Sequence, residues 1–274
     1  MNISNIIKDN GFRFKKNLGQ NFITDTNLLS AIVNDAEISA DDIVLEVGTG
    51  AGTLTKVLSE QAKKVYSFEI DKELMPILES TLKGVENVEV HFKDVLKLSD
   101  KEIKSIISGK LKVVANLPYY ITTNLIMRFI ESSLAVDSIT IMVQKEVAER
   151  LVALNDTPSY GAITLSVKLW GEAKITRGVN KELFFPQPKV DSSIVKITRN
   201  DKYSNLKDKK KVSKLIKSAF HMRRKTFVNN IVANFVIPKD LAKQILVDNG
   251  FNDKIRGEAL SLDDIIKLSL DERL

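Results

Sequence analysis

Asn116-Leu117-Pro118-Tyr119 is the stretch of this chain whose residue types most narrowly prescribe a chemistry. An exocyclic amine on an aromatic ring is a poor nucleophile, because its lone pair is delocalised into the ring. Group transfer to that nitrogen is eased when the nitrogen is drawn toward a tetrahedral geometry, and two acceptors aimed at its N–H bonds favour that shape. The Asn116 side-chain oxygen and the Leu117 carbonyl are such acceptors, with Pro118 stiffening the turn that presents them. The Tyr119 ring offers a face on which an extruded base can stack. A site of this kind works by position and electrostatics, with no metal and no covalent intermediate. The plainer alternative is a proline turn beside an ordinary buried tyrosine.

A second constellation lies upstream. Glu46-Val-Gly-Thr-Gly-Ala-Gly52 places glycines at 48, 50 and 52. Glycines allow a tight turn and let a ligand approach bare backbone, and the helix that follows presents free N–H groups. The spacing is not that of the dinucleotide fingerprint, because Thr53 stands where its third glycine would be. A Gly-rich turn alone is also compatible with an α/β protein that binds nothing there. Glu69 follows about twenty residues on, where nucleotide-binding α/β folds place a carboxylate for the ribose hydroxyls, and a carboxylate can accept from both vicinal hydroxyls. Asp94 closes a third predicted strand and can accept from an adenine amino group. Ligand-type residues at successive carboxyl ends of strands point to one nucleoside-like ligand lying across that edge.

These residues need a sheet to hold them. Runs rich in Val, Ile and Phe predict strands over Asp42–Gly48, Lys64–Ile70, Asn87–Asp94, Leu111–Pro118 and Ser138–Gln144, with later ones over Ala173–Val179 and Ser192–Arg199. Helical patterns fall between the first five. Thr53–Glu60 follows the Gly-rich turn, Asp71 can cap a helix reaching about Leu82, and Thr122 or Thr123 can cap one bearing Leu125, Ile126, Phe129 and Ile130. Strands alternating with helices imply a mostly parallel sheet covered on both faces. After about Asn200 the pattern changes. Asp201–Lys211 reads as a polar linker, and Val212, Leu215, Ile216, Ala219 and Phe220 then recur at helical spacing. The expected organisation is a domain over residues 1–200 and a small all-helical domain over 201–274.

The formal charge of +6 favours an anionic partner without choosing between nucleic acid and a membrane surface. Between Lys207 and Lys225 nine Lys or Arg face a single acid, Asp208. With the apolar side chains inward these charges point outward, and Arg223-Arg224-Lys225 follows directly. Such a face is either solvated surface or a set of phosphate contacts. Phe12, Arg13, Phe14, Lys15 and Lys16 form a second basic stretch. The chain has no cysteine, which excludes disulfides and thiolate chemistry. Neither an apolar signal segment nor a run long enough to span a membrane is present, so a soluble cytoplasmic protein is expected. His91 and His221 have no nucleophile or ligand partner nearby in sequence and read as structural or surface residues. A serine-hydrolase elbow is missing.

The pieces GQNF (Gly19–Phe22), EVGTGAGTLT, FEID, Asp94, NLPYYITT, QKEVAERL, Tyr160-Gly161, FFPQPKVDSS and HMRRKT, in that order, resemble the KsgA/RsmA family of 16S ribosomal RNA adenine dimethyltransferases. The resemblance implies a Rossmann-like, seven-stranded class I methyltransferase sheet with a small all-helical C-terminal domain. It implies S-adenosyl-L-methionine as cofactor and no metal. The substrate would be 16S rRNA in the small ribosomal subunit or its precursor, with two methyl transfers to the 6-amino group of each of two adjacent adenosines near the 3′ end. Asn21 and Ile23 would contact the methionine part of the cofactor; the family usually has Leu at the second position, so Ile23 is a mild departure acting through backbone. Gly48, Gly50, Glu69, Asp94 and Asn116 would complete the cofactor contacts. Phe184, which opens F-x-P-x-P-K-V-D-S, would be a second aromatic face for the base; a core Phe beside a rigid Pro loop is the alternative. Residues 201–274, with Arg223, Arg224 and Lys225, would bind RNA, and the chain would act as a monomer. Three other readings remain: a 23S rRNA adenine methyltransferase of the macrolide-resistance type, a non-catalytic assembly factor on this fold, and a nicotinamide-dependent oxidoreductase. The last is disfavoured by the missing third glycine.

Overall fold

The computed structural model describes Lys15 and residues 20–274; Phe12, Arg13, Phe14, Lys16 and Gly19 of the motifs above lie outside the described residues. The chain groups into two compact units, Met1–Ala148 with Lys174–Arg199, and Glu149–Ala173 with Asn200–Leu274. The expected boundary at 200 coincides with the last passage of the chain between units. Glu149–Ala173, assigned by sequence to the first domain, instead groups with the second. The reason is packing: Ala153, Tyr160 and Leu165 belong to the apolar core built around the C-terminal helices.

The first unit is organised on a seven-stranded sheet. Ahead of it in the chain lies a two-residue strand, β1 (Phe22–Ile23). The sheet strands are β2 (Ile43–Val47), β3 (Lys64–Phe68), β4 (Val88–His91), β5 (Leu111–Asn116), β6 (Val136–Gln144) and β7 (Gly171–Val179). A second two-residue strand, β8 (Phe184–Phe185), precedes the last sheet strand, β9 (Ser192–Arg199). The spatial order is β4-β3-β2-β5-β6-β9-β7, and β1 pairs with β8 apart from it. Strands β2, β3, β4, β5 and β6 pair in parallel, and β9 runs antiparallel to β6 with Gln144 opposite Ser192. The continuous apolar runs are explained by burial on both faces: Val44, Leu45, Val65, Val113, Val114, Ile139 and Ile141 are all buried. The strand order reverses between β2 and β5, which opens a crevice at their carboxyl ends.

The connecting helices are α1 (Thr26–Asp35), α2 (Thr53–Ser59), α3 (Met75–Thr81), α4 (Asp100–Ile106), α5 (Thr122–Ile130) and α6 (Lys145–Leu151). Their ends follow local rules. Asp25 caps α1 by accepting from Leu28 N at 2.8 Å, and Ser99 with Glu102 forms a capping box on α4. Asp71 caps as expected, although it opens a 3₁₀ turn (Lys72–Leu74) that leads into α3. The threonine cap expected for α5 is not formed. A 3₁₀ turn over Tyr119–Ile121 feeds the helix, Ile121 is its N-cap, and the buried Thr122 hydroxyl has no partner among the described residues. The Pro118 carbonyl receives the Ile121 N–H at 3.2 Å, so the turn satisfies its own backbone.

In the second unit α7 (Ala162–Trp170) joins α8 (Lys209–Ala219), α9 (Phe227–Phe235), α10 (Lys239–Asp248) and α11 (Leu262–Ser269). Val212, Leu215, Ile216 and Ala219 point into a core shared with Phe227, Ile231, Ile245 and Ile265. The segment read as a polar linker is part of this packing. Tyr203 and Leu206 lie against the core, the Tyr203 hydroxyl donates to Asp263 at 2.9 Å, and α8 begins at Lys209. A Cβ at Gly257 would overlap the Ala219 carbonyl, which is why glycine stands there. Among the described residues no helix is long and apolar enough to cross a membrane.

Candidate active site

At the carboxyl ends of β2, β3 and β5 the first unit holds a cavity of about 290 Å³. Its walls include Asn21, Ile23, Gly48, Gly50, Glu69, Asp94, Asn116, Leu117, Pro118, Tyr119 and Phe184. The side chains proposed from sequence for a cofactor and for a base thus surround one space.

Two of these groups meet through the β1–β8 ribbon, whose register sets Phe22 opposite Phe185 and Ile23 opposite Phe184. The Thr24 N–H extends it by donating to the Leu183 carbonyl at 3.0 Å. Phe184 is a core residue, as one of its sequence readings had it, and it also lines the cavity. It is only 5% exposed, packs in the cluster that holds Ile23, Leu29 and Ile194, and still borders the cavity.

The glycines are required by geometry. Gly48, Gly50 and Gly52 have φ of 83°, 56° and 79°, in the left-handed region. A Cβ at Gly48 would stand 2.6 Å from Leu117 Cδ2 and 3.4 Å from the Asn116 carbonyl oxygen; one at Gly50 would stand 2.9 Å from Phe22 Cε1. The Gly-rich turn therefore rests directly on the Asn116–Tyr119 corner.

Glu69 follows the last residue of β3 and is buried. Its Oε2 accepts from Gly50 N at 2.9 Å, and its Oε1 accepts from Ile70 N at 2.7 Å and Asp71 N at 2.9 Å. Burial raises its pKa and these N–H groups oppose the shift. A carboxylate offers about four lone-pair sites, so as it stands Glu69 has room for one further donor rather than for a vicinal pair. Asp94 does not close β4, which ends at His91; it lies in the following turn, where Oδ1 accepts from Leu96 N at 3.1 Å. His91 stacks on Phe68 with ring centroids 5.1 Å apart, and His221 is exposed in the second unit.

Asn116 ends β5 opposite Met142 of β6. Leu117 is buried behind it and Tyr119 is half-buried. The Tyr119 and Ser192 hydroxyls lie 2.7 Å apart. Burial pushes the phenol pKa up, and Ser192 partly offsets this. Ser192 was legible only as a letter of the V-D-S-S run; no local signal marks its partner.

Sequence reading also passed over Glu46. Its carboxylate is fully buried, Oε2 accepts from Thr55 at 2.7 Å and Ser67 at 2.6 Å, and Oε1 has no partner among the described residues. The Ser67 hydroxyl is also 2.6 Å from that of Thr49. Burial pushes the Glu46 pKa from its ordinary 4.5 to about 7, against the pull of the two hydroxyls. Between those values the folded chain keeps a proton that the unfolded chain releases. Stability contributed here therefore falls as pH rises from 4.5 to about 7, and levels off above it. Glu46→Gln removes that dependence. The stability of the variant relative to wild type is expected to rise by about 2–3 kcal/mol from pH 5 to pH 8, measured as urea unfolding at each pH. Parallel pH profiles for the two proteins would show that Glu46 is not the group responsible.

In the second unit Arg223, Arg224 and Lys225 are exposed in the turn after α8. The turn is held by the buried Asn230, whose Oδ1 accepts from Met222 N at 3.1 Å. Arg223 also donates to Glu258 and to the Pro158 carbonyl, both at 3.3 Å, so part of its charge is already answered.

A family model described as ribosomal RNA adenine dimethylase matches residues 11–268. The ribosomal RNA small subunit methyltransferase A of Clostridium botulinum is 42% identical over 270 residues, covering 98% of each chain. The protein of the same name from Clostridioides difficile is 38% identical over 267 residues, covering 96% of this chain and 92% of its own. Among solved structures, a dimethyladenosine transferase from Plasmodium falciparum superposes with a TM-score of 0.77 at 29% identity, covering 90% of this chain and 95% of its own. The 23S rRNA methyltransferase ErmE shares the fold, with a TM-score of 0.68 at 24% identity over 91% of this chain and 98% of its own. With the sheet order, the cavity and a match over nearly the whole length in agreement, the chain belongs to the ribosomal RNA adenine dimethylase family.

Proposed function

We propose that this protein uses S-adenosyl-L-methionine to dimethylate the 6-amino groups of two adjacent adenosines near the 3′ end of 16S rRNA during small-subunit biogenesis. The observation that carries the reading is the convergence of the Gly48–Gly52 turn, Glu69, Asp94 and Asn116-Leu117-Pro118-Tyr119 on one cavity.

The residues suit such a cofactor. Gly48 and Gly50 leave backbone bare on the cavity wall, Glu69 retains an acceptor site for a ribose hydroxyl, and Asp94 is an acceptor for an adenine amino group. Asn21 and Ile23 would hold the methionine end. When bound, the cofactor would supply a methyl group on a sulfonium: as the N–C bond forms the C–S bond breaks, a neutral thioether departs, and the alkylated nitrogen releases one proton to solvent. The chain's own part is to present the acceptor amine. In the first transfer the Asn116 side-chain oxygen and the Leu117 carbonyl accept from its two N–H bonds and draw the lone pair out of the ring; in the second, the methylated amine has one N–H left for one of these acceptors, while Tyr119 and Phe184 supply the two aromatic faces of the base slot. The preference over a 23S enzyme is supported by 42% identity to small-subunit methyltransferases against 24% to ErmE. Mass spectrometry of rRNA fragments after incubation of precursor subunits with labelled cofactor is expected to show two methyl groups on each of two neighbouring adenosines. Label confined to large-subunit RNA would overturn the assignment.

Arg223, Arg224 and Lys225 are proposed to contact phosphate. Changing all three to Ala is expected to weaken rRNA binding and to lower the slope of log K against log salt by about 2, at about 0.7–0.9 per lost phosphate contact. Three full contacts would give more, but Arg223 is shared with Glu258. An unaltered slope would mark the cluster as solvated surface.

A further inference from the structure

Ser192 opens β9, and its side chain is buried with the Tyr119 hydroxyl as its hydrogen-bond partner at 2.7 Å. The residue before it is pinned twice: the Asp191 carbonyl accepts from Lys145 N, and Asp191 Oδ1 accepts from Lys181 N, each at 3.1 Å. Gln144 of β6 faces Ser192 across the ladder. The serine oxygen is therefore held by the sheet and by both ends of the loop that begins at Lys181. The same loop carries Phe184, locked opposite Ile23 in the β1–β8 ribbon.

We propose that Ser192 is a positioning residue, which fixes the direction in which the Tyr119 ring stands, and that the 181–192 loop thereby sets the spacing of the base slot, holding Phe184 through the ribbon and Tyr119 through Ser192. This rests on the reading of Tyr119 as a stacking face. The Tyr119 oxygen lies on the axis about which the ring turns, so its bond to Ser192 fixes χ1, the direction in which the ring stands out from the backbone, while turning about that axis is left to the ring's own packing. Methyl transfer depends on the reacting nitrogen staying in a near-attack position, so a ring that swings lowers turnover without touching the cofactor contacts. Most buried side-chain polar atoms have a hydrogen-bond partner, and the one that meets the Ser192 hydroxyl is Tyr119.

The test is steady-state methylation of small-subunit RNA, with cofactor Kd measured separately, for Ser192→Ala, Tyr119→Phe, the double variant and Tyr119→Ala. Ser192→Ala and Tyr119→Phe are each expected to lower kcat by about two- to tenfold, the size of one hydrogen bond, with cofactor Kd unmoved. The double variant loses no more than either single one, because both remove the same bond. Tyr119→Ala, which removes the ring, loses far more. Wild-type kcat in Tyr119→Phe or Ser192→Ala beside a crippled Tyr119→Ala would overturn the positioning role alone, as would losses that multiply in the double variant or a matching loss of cofactor affinity. Wild-type kcat in Tyr119→Ala would instead remove the stacking reading on which the proposal rests. If Ser192→Ala fails to fold, Tyr119→Phe breaks the same bond from the other side and decides the matter.

Discussion

Asn116→Ala lowers turnover by about 10²- to 10³-fold, the effect of deleting one preorganised polar group at a transition state, while the cofactor still binds. The side chain stands at the last rung of β5, opposite Met142, so its position is set by the centre of the sheet and not by a mobile loop. Its oxygen is useful only when the amine begins to pyramidalise, since a planar amine gains less from an acceptor placed out of the ring plane. An interaction stronger in the transition state than in the ground state appears in kcat and leaves binding largely intact. Alanine leaves the Leu117 carbonyl as the remaining acceptor, which accounts for the residual rate. Single-turnover kinetics with saturating cofactor and RNA separates chemistry from release. Near-wild-type single-turnover rates in Asn116→Ala would exclude the residue from the reaction.

Gly48→Ala is expected to weaken cofactor binding more than about tenfold and to destabilise the chain by about 2–4 kcal/mol, the sum of a left-handed backbone penalty and overpacking. The first part comes from φ of 83°. The second comes from Leu117 Cδ2, 2.6 Å from the new Cβ, on a side chain that is 8% exposed and borders the cavity. Relief then requires the Gly-rich turn or the Asn116–Tyr119 corner to move, and both border the cavity. Gly84 is the control, with φ of 79° and nothing within 4 Å of where a Cβ would stand. Gly84→Ala carries only the backbone penalty, about 1 kcal/mol, and leaves cofactor affinity unchanged. Urea unfolding and calorimetric titration measure both quantities. Equal losses in the two variants would mean that the close approach of Leu117 to the turn is not limiting.

Much was legible in the chain itself. Seven apolar runs of strand length, the Gly-rich turn and the Asn-Leu-Pro-Tyr corner are local signals, because buried strands need continuous Val and Ile, and positive φ favours glycine. The motifs then located the carboxyl edge of the sheet, since each follows a strand directly. Less local features were missed. The β1 and β8 strands are two residues each, too short for any periodicity, and they exist only because Phe22 and Phe185 meet across the fold. Thr122 or Thr123 was given a capping role that the 3₁₀ turn before them made unnecessary.

Residue types and spacing by themselves determined the sheet, the order of its strands along the chain and the chemistry carried by its strand ends, because those depend on neighbours a few residues apart. Tertiary structure alone decided which unit claims Glu149–Ala173, how many acceptor sites Glu69 has left among the described residues, that Glu46 is buried with one oxygen unpaired among them, and that Ser192 is the hydrogen-bond partner of Tyr119. Each of these turns on contacts between segments distant in sequence, and burial and hydrogen-bond partnership are properties of the packed chain that no local pattern encodes.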